Sequence, residues 1–369
     1  MKRIATAPRS AGAGGDFSDP DFSKDVIRWQ KKHGRHTLPW QNTRDAYRIW
    51  LSEIMLQQTQ VSAVIPYYLR FLDRFPDVRS LAEAASEEVM SHWSGLGYYS
   101  RARNLHRCAQ RVVAEHDGVF PSDPELLADL PGIGRSTAAA IAAFAYGTRA
   151  AILDGNVKRV FARAFGIEGF PGAKPVEDKM WLRAVALLPE QDIGSYTQGL
   201  MDLGATLCTR SSPSCHECPL AQRCVALSSG RVHLLPERRP KKAVPERTTT
   251  MLVITHDEHV LLEQRPDSGI WGGLMSLPEV GEGTDATLAA ASMFGEPESC
   301  EKLTPFSHTF THFKLHVSPY RVRLAQRGHA VRHSKHHWYP AERLPDAPLP
   351  APVKKLLLAV FGDQDLLSR

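Results

Sequence analysis

From Asp21 to about Arg223 apolar residues recur at intervals of three and four, and Pro, Gly and Asp cut the stretch into short amphipathic runs. That pattern predicts helices over 22–32, 44–59, 62–74, 79–84, 86–94, 100–116, 123–129, 135–146, 154–165, 175–188 and 194–205. After Thr248 the period shortens to two. MLVIT and HVLLEQR flank His256-Asp257-Glu258 as a predicted hairpin, THFKLHVSPYRVRL alternates, and PAPVKKLLLAVF closes the chain with a helix near 350–361. The expected class is therefore multidomain, an all-α domain over 21–225 followed by an α+β domain over 249–369. The interval 226–248, with its RRPKK run, reads as a basic linker, and residues 1–20 as a disordered tail.

Composition changes this picture little. A chain of 369 residues with 43% hydrophobic content has material for two cores. No run of about 18 apolar residues occurs, so no membrane span is expected. A net charge of +5 is too small to act as a global field. Phosphate binding must then come from local cations, for which Arg101, Arg103, Arg107, Lys158 and Arg159 are the candidates. Of six Cys, four crowd into Cys208, Cys215, Cys218 and Cys224, spaced C-x6-C-x2-C-x5-C. Such clustering, without an export signal, points to metal ligation in a reducing cytoplasm rather than to disulfides. Four thiolates suit structural zinc as well as iron, but zinc ribbons favour two separated short pairs, so the spacing favours one 4Fe–4S cube.

Three stretches carry candidate chemistry. In LPGIGRSTAAAI the glycines Gly132 and Gly134 permit a tight turn, and the helix that follows points free N–H groups outward beside Arg135, an arrangement that suits a phosphate; no GK[ST] follows, so the nucleotide-triphosphate reading fails. In YRIWLSEIMLQQTQV, Glu53 lies among apolar neighbours that would desolvate its ionised form and equip it to hold a proton near neutral pH. GLGYYSRARN places two aromatics between a glycine turn and the cations Arg101 and Arg103, with Arg107 just beyond. Each has a plainer reading as well: packing corner, solvated glutamate, core tyrosine. Trp40, in LPWQ, is either core filler or a plate for a base.

The glycine turn, the ILDGNVKRV stretch, the four cysteines and SEIMLQQTQV, in this order, resemble the helix-hairpin-helix DNA glycosylases, and within them the adenine glycosylases. The resemblance implies a flipped adenine excised in base excision repair opposite 8-oxoguanine or guanine, with Glu53 as general acid, Asp154 stabilising the oxocarbenium ion and Asn156 orienting it. It implies Trp40, Gln198 and Ser136 at the base pocket, Gln58 and Tyr98 as wedges in the duplex, and Gly132, Gly134, Arg135 and Lys158 on phosphate. Bifunctional relatives such as endonuclease III carry a Schiff-base lysine where this chain has Ser136, so a monofunctional enzyme is expected. The second half resembles a Nudix fold without the catalytic carboxylate box, since TDATLAAASMFGEPE stands where that box would be. Phe306, Ser307 and His308 match the loop with which adenine glycosylases read 8-oxoguanine. The implied partners are mispaired double-stranded DNA and, along the linker, repair and replication proteins, with a monomer associated with the cytoplasmic nucleoid. The alternatives are an endonuclease III-like pyrimidine glycosylase/lyase and a non-catalytic damage binder. His333, His336 and His337 suggest metal but read better as titratable surface.

Overall fold

The structure is a computed structural model and describes residues 19–239, 244–266, 269–310, 312–327 and 335–362. The predicted tail up to residue 18, part of the RRPKK run and His333 lie outside the described residues.

The first part is helical throughout: α1 (Pro20–His33), α2 (Ala46–Leu56), α3 (Val61–Arg74), α4 (Val78–Glu83), α5 (Ser86–Trp93), α6 (Ser100–His116), α7 (Pro124–Asp129), α8 (Arg135–Tyr146), α9 (Gly155–Ala164), α10 (Lys174–Ala186), α11 (Ile193–Asp202) and the short α12 (Val225–Ser228). Their ends follow local chemistry. Asp19, Asp77 and Asp154 cap α1, α4 and α9 through side-chain oxygens, and Gly147 ends α8 in the left-handed region. The predicted helix 194–205 does not run on as α-helix. Its last residues widen into a π-helical turn, Leu203–Leu207.

The second part is a sheet of eight strands among the described residues: β1 (Glu246–His256), β2 (His259–Gln264), β3 (Met275–Ser276), β4 (Glu279–Val280), β5 (Pro297–Lys302), β6 (Phe306–Thr309), β7 (Lys314–Leu324) and β8 (His336–Pro340), with α13 (Ala286–Met293) and α14 (Ala351–Gly362). The main order is β3-β2-β1-β7-β5, with β1 and β7 parallel and the other pairs antiparallel. The predicted hairpin forms, His256 pairing with His259 across Asp257-Glu258. On one face Leu252, Ile254, Leu261 and Val322 pack with Ala286, Ala290 and Phe294. The segment 283–293 supplies α13 but no carboxylate beyond the Asp285 cap, so the fold persists without a magnesium-binding box.

Compactness does not follow chain order. One unit gathers the residues up to Trp50 with Pro121–Asp129 and Ile133–Arg239; the other gathers Leu51–Phe120, Leu130–Gly132 and the residues beyond Arg239. The first is built on Phe22, Val26, the alanines of α8, and Val157, Phe161 and Leu200. Small alanine side chains let neighbouring backbones close on α8, the helix that follows the glycine turn. No helix among the described residues is long and apolar enough to cross a membrane.

Candidate active site

Asp154 is placed by its own cap. Its Oδ1 accepts from the Val157 N–H at 2.8 Å, so the carboxyl sits at the positive end of α9. Desolvation holds its pKa above the ordinary carboxylate value, against the opposing pull of the Val157 and Asn156 N–H groups and the charges of Arg159 and Lys158. Ser136, in the first turn of α8, accepts from the Leu153 N–H at 2.9 Å. Its hydroxyl thereby fixes the residue immediately before Asp154.

Asn156 is held from the far side. Arg159 donates to Asn156 Oδ1 at 2.8 Å, to Gly204 O at 2.6 Å and to Cys208 O at 2.7 Å. A Cβ on Gly204 would fall 2.5 Å from Asn156 Cβ, so glycine there permits the contact, and the π-helical turn presents its carbonyl. Arg159 is thus spent inside the protein rather than offered to phosphate. Lys158 pairs with Glu177 at 2.7 Å. Gln198 donates through Nε2 to Asp202 Oδ1 at 2.9 Å, and Asp202, fully buried, also receives Arg35 Nε at 2.6 Å. Trp40 is 8% exposed, nearer the core reading than that of an open plate. Arg135 is exposed and its guanidinium lies 3.8 Å over the Trp181 ring.

In the other unit Glu53 is half-buried on α2 beside Leu51, Ser52, Ile54 and Met55, all nearly inaccessible. Gln58 and Tyr98 are both exposed, and both take left-handed backbone, with φ of +58 and +48. Gly132 has φ +79, and a Cβ there would meet Asn104 Cβ at 2.8 Å. Gly132→Ala should therefore cost about 1–3 kcal/mol of stability and weaken duplex binding, read by thermal melting and by fluorescence anisotropy. Unchanged melting would mean the turn does not need its glycine.

Arg101, expected on phosphate, is instead 8% exposed, with its guanidinium bonded to backbone. Burial in the first turn of α6 overrides the surface reading of Arg101, while Arg103 is half-buried and Arg107 exposed. Arg103 likewise donates to the Gly272 carbonyl, and Arg107 to Asn104 Oδ1 at 2.5 Å.

The Phe306–His308 stretch forms β6, so its side chains alternate. His308 turns into a cavity of about 720 Å³ that Tyr98, Tyr99, Arg103, Arg247, Trp271 and Phe310 also line. Burial lowers its pKa, keeping the ring neutral at neutral pH. Ser307 lies on the opposite face, bonded to His316 Nδ1 at 2.9 Å, with His316 Nε2 2.7 Å from Glu246.

Cys208, Cys215, Cys218 and Cys224 ring one small cavity with Arg163, whose Nη1 lies 3.5 Å from Cys208 Sγ. Burial pushes the Cys218 thiol up to about 11, and the other three thiols add to it, so this donor set needs a cationic group to hold it ionised. Among the described residues no three His, Cys, Asp or Glu converge tightly enough for a single ion. Four thiols around one cavity supply one thiolate for each iron of a 4Fe–4S cube.

Family models agree segment by segment. The HhH-GPD superfamily of base excision DNA repair proteins matches residues 51–184, the iron–sulfur binding domain of endonuclease III matches 208–224, and the NUDIX domain matches 249–359. The structure of a thermostable thymine-DNA glycosylase superposes with a TM-score of 0.51 at 27% identity, covering 57% of this chain and 96% of that one. An adenine DNA glycosylase of Buchnera aphidicola is 36% identical over 91% of this chain and 96% of its own length, and one of Homo sapiens is 32% identical over 82% and 67%. The protein carries one 4Fe–4S cluster. With identity held across both the helical half and the Nudix-like half, the chain belongs to the adenine DNA glycosylases, hydrolases of base excision repair.

Proposed function

We propose that the chain is a monofunctional glycosylase that removes adenine paired with 8-oxoguanine or guanine, and reads the partner base with its Nudix-like half. The observation that carries the partner-base reading is the shared cavity: Tyr98, a wedge candidate, and His308, from the loop that resembles an 8-oxoguanine reader, line the same space. Aromatic walls suit a stacked base, and the exposed Arg247 among the lining residues suits phosphate or carbonyl oxygens.

The chemistry follows from two carboxyls. Glu53 donates a proton to N7 of the extruded adenine; the C1′–N9 bond breaks, its electron pair leaves with the base, and positive charge develops on the sugar. Asp154, ionised, stabilises that cation, and Asn156, anchored by Arg159, holds the turn beside it. Glu53 then takes a proton from the attacking water. Gln198, its amide nitrogen fixed by Asp202, presents its oxygen to the adenine N6–H. Gln58 and Tyr98 fill the vacated stack, while Trp40 backs the pocket. Gly132, Gly134, Arg135 and the first N–H groups of α8 receive a phosphate, and Lys158 adds charge nearby. Cys208, Cys215, Cys218 and Cys224 hold the 4Fe–4S cluster. When bound, it supplies rigidity to the 208–224 loop, since neither proton transfer nor water attack consumes an electron.

Ser136 argues against the lyase reading. A hydroxyl cannot form an imine, and here it is engaged by Leu153. The test is single-turnover reaction on a duplex with adenine opposite 8-oxoguanine, hot alkali being added only after quenching, and adenine opposite thymine as control. Alkali-dependent breaks confined to the adenine strand of the first duplex are expected. Breaks without alkali would establish a lyase, and equal reaction on both duplexes would overturn the partner-base reading.

A further inference from the structure

Among the described residues, Arg101 is a buried cation with no carboxylate partner. Its Nη1 lies 3.0 Å from Ile54 O, 2.8 Å from Met55 O and 2.7 Å from Gln57 O. Its Nη2 lies 3.1 Å from Thr59 Oγ1 and 3.2 Å from both Leu96 O and Gly97 O. Nε has no partner. Desolvation lowers the pKa to about 10, so the group stays charged at neutral pH. A buried charge without a counter-ion is costly and is kept where its geometry is needed.

That geometry joins two segments. Gln57 and Thr59 flank Gln58 on either side, and Gly97 immediately precedes Tyr98, whose ring lies 5.5 Å from the same guanidinium. Gln58 and Tyr98 are also the two exposed residues here that hold left-handed backbone without being glycine, a conformation that persists only when neighbours enforce it. At the end of α2 the guanidinium adds a donor to Met55 O and to Ile54 O, which also accepts from the Gln57 N–H at 3.3 Å. Three further bonds brace the second segment: Trp93 Nε1 to Gly97 O at 3.1 Å, Tyr67 OH to Ser94 O at 3.0 Å and Gly95 N to Tyr99 OH at 3.3 Å.

We propose that Arg101 is the positioning residue that sets Gln58 and Tyr98 as one rigid double wedge, so that it serves extrusion of the adenine rather than cleavage of its bond. The proposal rests on the reading of Gln58 and Tyr98 as wedges. Lysine keeps the charge, but with a single nitrogen it cannot span both segments.

The experiment compares Arg101→Lys with wild-type protein in single-turnover cleavage of two duplexes. In one, adenine faces 8-oxoguanine; in the other it faces an abasic analogue and needs little unpairing. Extrusion itself is followed by the fluorescence of 2-aminopurine beside the adenine. Arg101→Lys should be slower by about tenfold or more on the paired duplex and by less than about threefold on the unpaired one, with the fluorescence rise delayed in proportion. Equal slowing on both duplexes would make Arg101 merely structural, and no slowing on either would leave it without this role; both outcomes overturn the proposal. If Arg101→Lys does not accumulate as brown protein with cooperative melting, Thr59→Val, which removes one acceptor, carries the same comparison with an expected paired-only loss of about threefold. Gln58→Ala and Tyr98→Ala run alongside. Normal extrusion in both would sink the wedge reading itself, whereas slow extrusion in both with normal Arg101→Lys would sink only the role of Arg101.

Discussion

Replacing Glu53 by Gln should slow adenine release by about 10²–10⁴-fold, the usual contribution of a positioned general acid, while affinity for the mispaired duplex changes by no more than about twofold. Gln matches Glu in size and helix propensity, so α2 and its buried neighbours Leu51, Ile54 and Met55 stay as they are. What is lost is the transferable proton. Without it the base must leave as an anion, and no other acid on α2 can replace it, since the remaining residues of Ala46–Leu56 include no carboxyl. Single-turnover rates with saturating enzyme separate this from a binding defect. A rate for Glu53→Gln close to that of the wild-type protein would remove Glu53 from the mechanism.

The order of the helices was legible because caps and breakers are local, but α2 stops at Leu56 rather than 59 and α11 at Asp202 rather than 205. Asp77 and Asp154 mark their helix starts in the sequence as clearly as in the structure, and the alternation of THFKLHVSPYRVRL becomes β7. The site was legible in its residue types but not in its orientation. GLGYYSRARN reads as aromatics beside two cations, yet Arg101 turns inward to carbonyls, because which face of a first helical turn is buried depends on what packs against it. Arg159 was misread for the same reason. The π-helical turn at Leu203–Leu207 left only Gly204 as a sign, and its meaning lies in the distant Asn156. The opposite facing of Ser307 and His308 was available from strand period alone, once Phe306–Thr309 was taken as a strand.

Asp154→Asn should lose cleavage and gain stability in the same protein. A carboxylate about 4 Å from a developing cation, at an effective dielectric near 20, contributes about 4 kcal/mol, so the rate should fall by about 10³-fold. The fold should respond in the other direction. The native pKa of Asp154 is raised above 3.8, so the native state binds this proton more tightly than the unfolded chain does. Its contribution to stability is therefore fully present below the unfolded value and lost as pH rises through the native one. Above that native value the wild-type protein carries the cost of keeping the carboxyl ionised while desolvated. Asparagine removes that cost, and its Oδ1 still accepts from the Val157 N–H, so the cap on α9 survives. Asp154→Asn should melt above the wild-type protein at pH 7 to 8, by about 2–4 °C for each kcal/mol recovered. The gap should close as pH falls from the raised native value toward 3.8, where the wild-type carboxyl is itself protonated. A variant that melts lower at pH 7, or a gap independent of pH, would mean that Asp154 is not held ionised against desolvation. The same cost would serve the proposed catalysis: an anion poorly solvated in the free enzyme gains most when the sugar beside it becomes a cation.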